Sequence, residues 1–130
     1  MKTIEQVISI FGGKPDDYEI HANGGGWKAK TAKVDPTAYL GENAIASGNA
    51  RIYGDARIYG DAWDRTPLYI QGSKHACYWA NKGHLGIGCQ VFPVGEWMKR
   101  YKEIGEESEY SEEEIKEYGK YIELFNCFLT

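Results

Sequence analysis

The chain has 130 residues, with 15 Lys and Arg against 19 Asp and Glu, and a formal net charge of −4 at pH 7. A general electrostatic nucleic-acid binder carries excess positive charge, so this balance argues against direct DNA or RNA binding. No apolar run approaches the ~20 residues that cross a bilayer, and Glu5 interrupts the apolar N-terminal stretch, which therefore does not resemble a signal peptide. With an odd count of three cysteines, these features predict one soluble domain, 1–130, in a reducing cytoplasm.

Residues 1–31 predict a cap and two entry strands. Thr3 and Gln6 have the spacing of a capping box, and the apolar residues that follow predict a helix over about 3–11, ended by Gly12 and Gly13. We expect this helix to cover the open first coil of the repeat that follows it. Residues 18–31 predict a strand, a Gly-rich turn and a second strand. The Gly run is interpreted as a flexible turn because it lacks the Lys-Ser/Thr of a phosphate-binding loop.

Residues 32–73 repeat every six residues. Ala occupies the first position of six successive hexads, an aliphatic residue usually occupies the third, and Gly followed by Asn or Asp often fills the fifth and sixth. Gly, Asn and Asp tolerate the left-handed backbone of tight corners. The pattern predicts an α+β chain built on a short left-handed parallel β-helix of about two coils. We expect the repeat to end at Asp64 and Pro67, because an unpaired buried carboxylate is unfavourable.

About three hexads per coil would place residues 18 apart in sequence beside each other on one outer face. One face would then carry Arg51, and a second would carry Tyr39, Arg57 and His75, near Tyr59. Outward aromatic and Arg side chains suit ordinary exposed strands, but they are also enriched at binding surfaces. Ile45 and Trp63, both expected to point outwards, predict self-association into a homo-oligomer. The candidate binding residues of the repeat are Tyr39, Arg51, Tyr53, Arg57, Tyr59 and Trp63.

Residues 74–92 predict a β-hairpin, with strands at 75–80 and 84–92 and a turn at 81–83. Its His and Cys side chains lack the knuckle spacing of zinc sites, so we predict no metal and no cofactor. We expect Cys77 and Cys89, and Cys127 in the last helix, to be small buried apolar residues. The side chains that a zinc site in this hairpin would use, and that lack the spacing for it, are His75, Cys77, His84 and Cys89.

Residues 93–130 predict a helical tail. A helix over 95–104 should turn four apolar side chains inwards, and a capping box from Ser111 to Glu114 should open a second helix whose apolar residues recur three and four apart. The tail also contains most of the acidic excess, and its candidate binding residues are Glu106, Glu107 and Glu109. The inward side chains expected in the first helix are Trp97, Met98, Tyr101 and Ile104, and in the second Ile115, Tyr118, Ile122, Phe125 and Leu129.

Two stretches carry a resemblance to a known group of proteins. These are GGGWKAKTAKVDPTAYLGENA, at the entry of the repeat, and HLGIGCQVFPVGEW with YSEEEIKEYGKYIELF, in the tail. They resemble small hexapeptide-repeat proteins of phages and prophages, a family without an established activity, over roughly residues 20–128. The resemblance implies a left-handed β-helix-like, phage-encoded and non-catalytic protein that acts inside a bacterial host cell.

Three functions follow as hypotheses. The first is a binding protein that engages a host protein and inhibits a bacterial defence system, its acidic tail occupying a basic nucleic-acid-binding surface of the target. The second is sequestration of a nucleotide or another small anionic ligand by Arg51, Arg57 and neighbouring tyrosines. The third, a hexapeptide-repeat acyltransferase, is disfavoured because no His lies within the repeat and His75 only follows it.

Overall fold

The computed structural model describes residues 1–129, which form three α-helices, a short 3-10 turn at Pro15–Asp17 and ten strands. The helices are α1 (Ile4–Phe11), α2 (Val94–Glu107) and α3 (Glu112–Cys127). The strands are β1 (Tyr18–Ile20), β2 (Trp27–Ala29), β3 (Lys33–Val34), β4 (Tyr39–Ala46), β5 (Arg51–Ile52), β6 (Arg57–Trp63), β7 (Tyr69–Gln71), β8 (Ala76–Asn81), β9 (His84–Ile87) and β10 (Gln90–Pro93).

The N-terminal half contains a mixed sheet in the order β1-β2-β4-β6. β1 and β2 are antiparallel, as the strand–turn–strand prediction required, whereas β2, β4 and β6 run parallel to one another. β3 and β5 form a separate parallel pair. Lys33 lies opposite Arg51, and Tyr39 lies opposite Arg57, so pairing across 18 residues is present at these two positions.

The prediction of a short left-handed parallel β-helix is nevertheless wrong. The strands belong to one mixed sheet, one antiparallel sheet and one two-stranded sheet, and do not form a continuous parallel solenoid. Two features explain the difference: β4 and β6 are 8 and 7 residues long and run past the corner that the hexads predicted, and β7 leaves the parallel arrangement to pair antiparallel with β8. The fold is mixed α and β, with sheets that the hexads alone do not specify.

The C-terminal half contains an antiparallel sheet in the order β10-β9-β8-β7. The predicted hairpin is present as β8 and β9, but the expected second strand over 84–92 is broken. Gly88 adopts a φ of +61°, a left-handed conformation that favours glycine, and the chain turns there so that β10 folds back onto β9. This turn places Cys89 at the surface.

The helices follow their capping signals closely. The capping boxes predicted at Thr3 and Ser111 are both formed, and α1 and α3 begin at the next residue. α2 is longer than expected, since it starts at Val94 and ends at Glu107. Two inward assignments are wrong: Met98 is exposed on α2, and Leu129 lies beyond the end of α3 and is exposed.

The molecule has two hydrophobic cores, and β8 contributes to both. Ala76, Tyr78 and Ala80 pack in the first core with residues of α1 and β4, while Cys77 and Trp79 pack in the second with residues of β9, α2 and α3. Side chains alternate between the two faces of a strand, so β8 is buried on both sides.

The expectation that Ile45 points outwards is wrong, because its side chain is fully buried in the first core. Trp63 is only partly exposed and packs against both cores. The prediction of self-association therefore loses one of the two residues on which it was based. Among residues 1–129, no helix is long and apolar enough to cross a membrane.

Candidate ligand-binding cleft

A cleft of about 720 Å³ lies beside the face of β4 and β6 that carries Tyr39 and Arg57. β8 contributes Tyr78 to its lining, and the turn between β7 and β8 contributes two basic side chains. The residues that matter for its chemistry are Tyr39, Asp55, Arg57, Tyr59, Lys74 and His75.

Strand geometry places an Arg beside two aromatic rings. Arg57 and Tyr59 are two residues apart in β6 and so project from the same face, and Tyr39 lies opposite Arg57 on the neighbouring strand β4. The ring centroids of Tyr39 and Tyr59 are 5.4 Å apart, with the ring planes inclined at 47°. A hydrogen bond with the Tyr59 side chain raises the pKa of Arg57, so the guanidinium keeps its charge.

The basic turn of the cleft is held by α3. The Tyr118 hydroxyl accepts hydrogen bonds from the backbone N–H groups of Lys74 and His75, at 3.0 and 2.6 Å, and donates one to the His75 carbonyl oxygen at 2.6 Å. One residue earlier, the Glu117 carboxylate accepts hydrogen bonds from the backbone and hydroxyl of Ser73. The position of Lys74 and His75 in the cleft is therefore fixed by two neighbouring side chains of one helix.

Among residues 1–129, only one of the two ring nitrogens of His75 has a hydrogen-bond partner. Its Nδ1 lies 2.6 Å from the Tyr110 hydroxyl oxygen, and the two rings are stacked with their centroids 5.8 Å apart. The Lys74 ammonium lies 4.6 Å from the centroid of the same Tyr110 ring. Tyr110 thus orients both basic side chains and leaves Nε2 of His75 for another partner.

Neither Arg57 nor Lys74 forms an ion pair in the part of the chain that the structure describes, although the charge of Lys74 adds to the Ser111 hydrogen bonds that lower the pKa of Glu114. The ion pairs among residues 1–129 join Lys28 to Glu19, and Arg100 to Glu96 and Glu103. Asp55 is the one carboxylate lining the cleft within these residues, and it forms no ion pair with Arg57 or Lys74. The cleft can therefore offer positive charge to a ligand.

Tyr78 is the buried aromatic residue of the lining. It is 1% exposed, its hydroxyl donates a hydrogen bond of 2.6 Å to the carbonyl oxygen of Gly88, and burial raises its pKa. A Cβ on Gly86 would collide with the Tyr78 ring, so the close packing of β8 on β9 requires glycine there.

The structure brings together only part of the residues predicted from the sequence. Tyr39, Arg57, Tyr59 and His75 share the cleft, as the second predicted face proposed. Arg51 and Tyr53 lie elsewhere, on a gap of about 10 Å³ that also contains Tyr69. Trp63 lies in a groove of mixed polarity with Trp79 and Phe128. The three candidate tail residues are exposed around the end of α2: Glu106, Glu107 and Glu109.

Sequence reasoning overlooked Lys74 and Asp55 in the cleft. Lys74 lies just beyond the repeat, where the six-residue register gives no position for it, although it precedes His75, whose placement followed from the 18-residue offset. Asp55 was assigned only a role in a corner, because Asp is common there. Asp55 lies in the turn that precedes β6, so strand alternation from Arg57 could not have assigned it to the cleft.

The cysteines differ from expectation. Cys77 is buried as predicted, and burial raises its pKa to about 12, whereas Cys89 and Cys127 are exposed. Cys89 lies on the rim of the cleft because the chain turns at Gly88. Among residues 1–129, no group of three or more His, Cys, Asp or Glu side chains could hold a metal ion.

In comparisons with known proteins, no family model, no curated protein and no solved structure matches this chain. The resemblance to phage proteins therefore stays a prediction from the sequence. The cleft itself is the feature from which a function can be argued.

Proposed function

We propose that this chain is a non-catalytic binding protein that sequesters a nucleotide, or a closely related small anionic ligand, in the cleft. The observation that carries the proposal is the combination of cations with aromatic rings: Arg57 and Lys74, neither of which forms an ion pair among residues 1–129, lie on the cleft that also holds Tyr39 and Tyr59. Of the three sequence hypotheses, this one is supported by a defined cavity, although the cavity is lined by Arg57 and not by Arg51.

The chemistry of the lining fits the parts of a nucleotide. A guanidinium binds phosphate oxygens in a bidentate manner, and an ammonium and the Nε2 of a histidine add further donors. Tyrosine rings stack on nucleobases and tolerate any base, because every base has a π-face. The cleft, at about 720 Å³, falls in the range of roughly 300–1,000 Å³ typical of small-molecule sites.

We place this activity in the cytoplasm of a bacterial host, on the basis of the resemblance to phage proteins. A protein that sequesters a signalling nucleotide would inhibit a defence system that the nucleotide activates, and it would need no catalytic residues. The extent of inhibition would then depend on the ratio of protein to nucleotide, since a protein without catalytic turnover removes only as many nucleotides as it has binding sites.

The test is isothermal titration calorimetry with the four ribonucleoside 5′-monophosphates and with inorganic phosphate. We expect at least one nucleotide to bind, and Arg57→Gln to weaken binding by about tenfold or more, as loss of a charge-assisted contact does. Arg51→Gln is the matched control, because Arg51 occupies the same position of an identical ARIYGD hexad but lies outside the cleft. Equal effects of the two substitutions, or no binding by the wild-type protein, would refute the proposal.

Binding of a host protein through the acidic tail is the second candidate. It is supported by the exposure of the Glu106, Glu107 and Glu109 side chains around the end of α2. The triple charge reversal to Lys should release a partner that the wild-type chain retains in affinity capture from a bacterial lysate. If a captured partner stays bound to this triple variant, the acidic tail is not its binding surface.

A further inference from the structure

We infer that the ligand of the cleft carries a ribose with its free hydroxyl groups, and that Asp55 is the residue that recognises them. This inference rests on the proposed function, which supplies a nucleotide-sized anion bound by Arg57 and Lys74. It adds a sugar to that ligand and assigns a specificity-determining role to Asp55, which the six-residue pattern predicted only as a corner residue.

The observation behind it is a carboxylate in a site suited to anions. Asp55 lines the cleft together with Arg57, Lys74 and His75. Its side chain is exposed, and among residues 1–129 its carboxylate takes part in no hydrogen bond or ion pair. Other Asp side chains in the region are engaged: Asp35 accepts a hydrogen bond from the Gly54 N–H at 2.6 Å, and Asp61 accepts one from the Lys82 N–H at 2.7 Å.

Once a ligand fills the cleft, an ionised carboxylate without a hydrogen-bond donor is unfavourable. An anionic ligand that covered Asp55 without donating to it would bring like charges together and remove the carboxylate from water without compensation. An ionised carboxylate only accepts hydrogen bonds, so the compatible ligand must present donors near its anionic group. Two neighbouring hydroxyls can donate to the two oxygens of one carboxylate.

The three kinds of group in the cleft then correspond to the three parts of a ribonucleotide. Tyr39 and Tyr59 match the base, Arg57 with Lys74 and His75 matches the phosphate, and Asp55 matches the 2′- and 3′-hydroxyls. Acidic residues bind ribose hydroxyls in the same manner in dinucleotide-binding folds. A deoxyribonucleotide offers one donor fewer and should bind more weakly.

The test compares ribonucleotides with their 2′-deoxy and 3′-deoxy forms, by calorimetry on the full chain without added metal. For whichever base binds best, we expect the ribonucleoside 5′-monophosphate to bind about tenfold more tightly than either deoxy form, because an unmade hydrogen bond leaves the carboxylate unpaired. In Asp55→Asn the ratio should fall to near one. Asp64→Asn is the control, since Asp64 is an exposed carboxylate outside the cleft.

The outcomes separate the inference from the function on which it rests. Equal affinity of the wild-type protein for ribo and deoxy forms, with binding still dependent on Arg57, would overturn the ribose assignment and leave the proposed function intact. The same holds if discrimination is present but unchanged in Asp55→Asn. If no nucleotide binds, both fail. The ribo-to-deoxy ratio of the wild-type protein is a test even if Asp55→Asn does not fold.

Discussion

At the scale of single residues, the cleft depends on side chains of α3 that do not line the cleft themselves. Tyr118 is 3% exposed, and its one hydroxyl makes three hydrogen bonds to the Lys74–His75 backbone. Glu117, the preceding residue, accepts from Ser73 and from the Tyr121 hydroxyl. These contacts replace water for backbone groups that would otherwise be unpaired, and they position the cations without touching a ligand.

Glu117 predicts a specific pH dependence of stability. Hydrogen bonds from the Ser73 hydroxyl, the Tyr121 hydroxyl and the Ser73 backbone lower the pKa of Glu117 below the ordinary 4.5. A carboxyl whose pKa is lower in the folded state stabilises that state above its unfolded pKa, and this contribution is lost as the pH falls through the folded pKa. The advantage of wild type over Glu117→Gln in free energy of unfolding should therefore shrink as the pH falls from about 5 into the range below 4.5.

The measurement is urea unfolding of both proteins across that range. Glu123→Gln is the control, because Glu123 lies exposed on the same helix and its carboxylate accepts no hydrogen bond among residues 1–129. The other carboxyl groups are common to the compared proteins, so their titration cancels in the difference. A wild-type advantage that stayed constant with pH would mean that Glu117 is not held as its hydrogen bonds indicate.

At the scale of elements, the packing of α2 on α3 depends on two small residues. A Cβ on Gly119 would lie 2.8 Å from the Tyr101 ring, and one on Gly105 would lie 2.8 Å from Cγ1 of Ile115. Helices approach most closely where a glycine faces a large side chain. Gly95 differs, since a Cβ there would meet nothing within 4 Å.

The two glycine environments predict opposite effects of adding one methyl group. Gly119→Ala should lower the free energy of unfolding by about 1–3 kcal/mol, because the new methyl displaces the Tyr101 ring in a packed interface. Gly95→Ala should raise it by about 0.5–1 kcal/mol, because alanine loses less conformational freedom in a helix. Chemical denaturation of both variants checks this. A stabilising effect of Gly119→Ala would mean that the helices are not in such close contact.

The elements were largely predictable where local signals act alone. The capping boxes at Thr3 and Ser111 located two helix starts, because the cap residue and its partner lie three residues apart in the chain. The sheets were predicted less well. Whether a hexad turns a corner or continues as a strand is decided by pairing with distant strands, as when β7 joins β8, and the six-residue period is the same in both cases.

At the scale of the whole molecule, the cleft could be predicted only in part for the same reason. Tyr39, Arg57 and His75 followed from the 18-residue offset, which holds at the start of β4 and β6, where Tyr39 pairs with Arg57, before the register shifts after Leu40. The position of Lys74 depends on its contact with Tyr118 of α3, which is far away in sequence. The turn at Gly88 depends on the pairing of β10 with β9. A period describes neighbours along a repeat, but it carries no information about the elements that pack outside it.

The shared strand β8 predicts that the two cores unfold together. Ala76, Tyr78 and Ala80 belong to one core, while Cys77 and Trp79, on the opposite face of the same strand, belong to the other. Neither core can lose β8 without exposing apolar surface in the other, and small domains coupled in this way unfold in one cooperative transition. Leu40 and Ile122 are fully buried, one in each core, so each reports on its own core.

Native-state hydrogen exchange on Leu40→Ala and Ile122→Ala tests this coupling. Each substitution should lower the free energy of unfolding by about 2–5 kcal/mol, the usual loss for a large-to-small change in a core. Because the unfolding is shared, each should accelerate exchange at the slowest amides of both β4 and α3 by the same factor. If Ile122→Ala accelerated exchange only in α3, the cores would be independent units. The cleft would then open whenever the second core unfolded, because Arg57 comes from β6 and Lys74 from the turn that α3 holds.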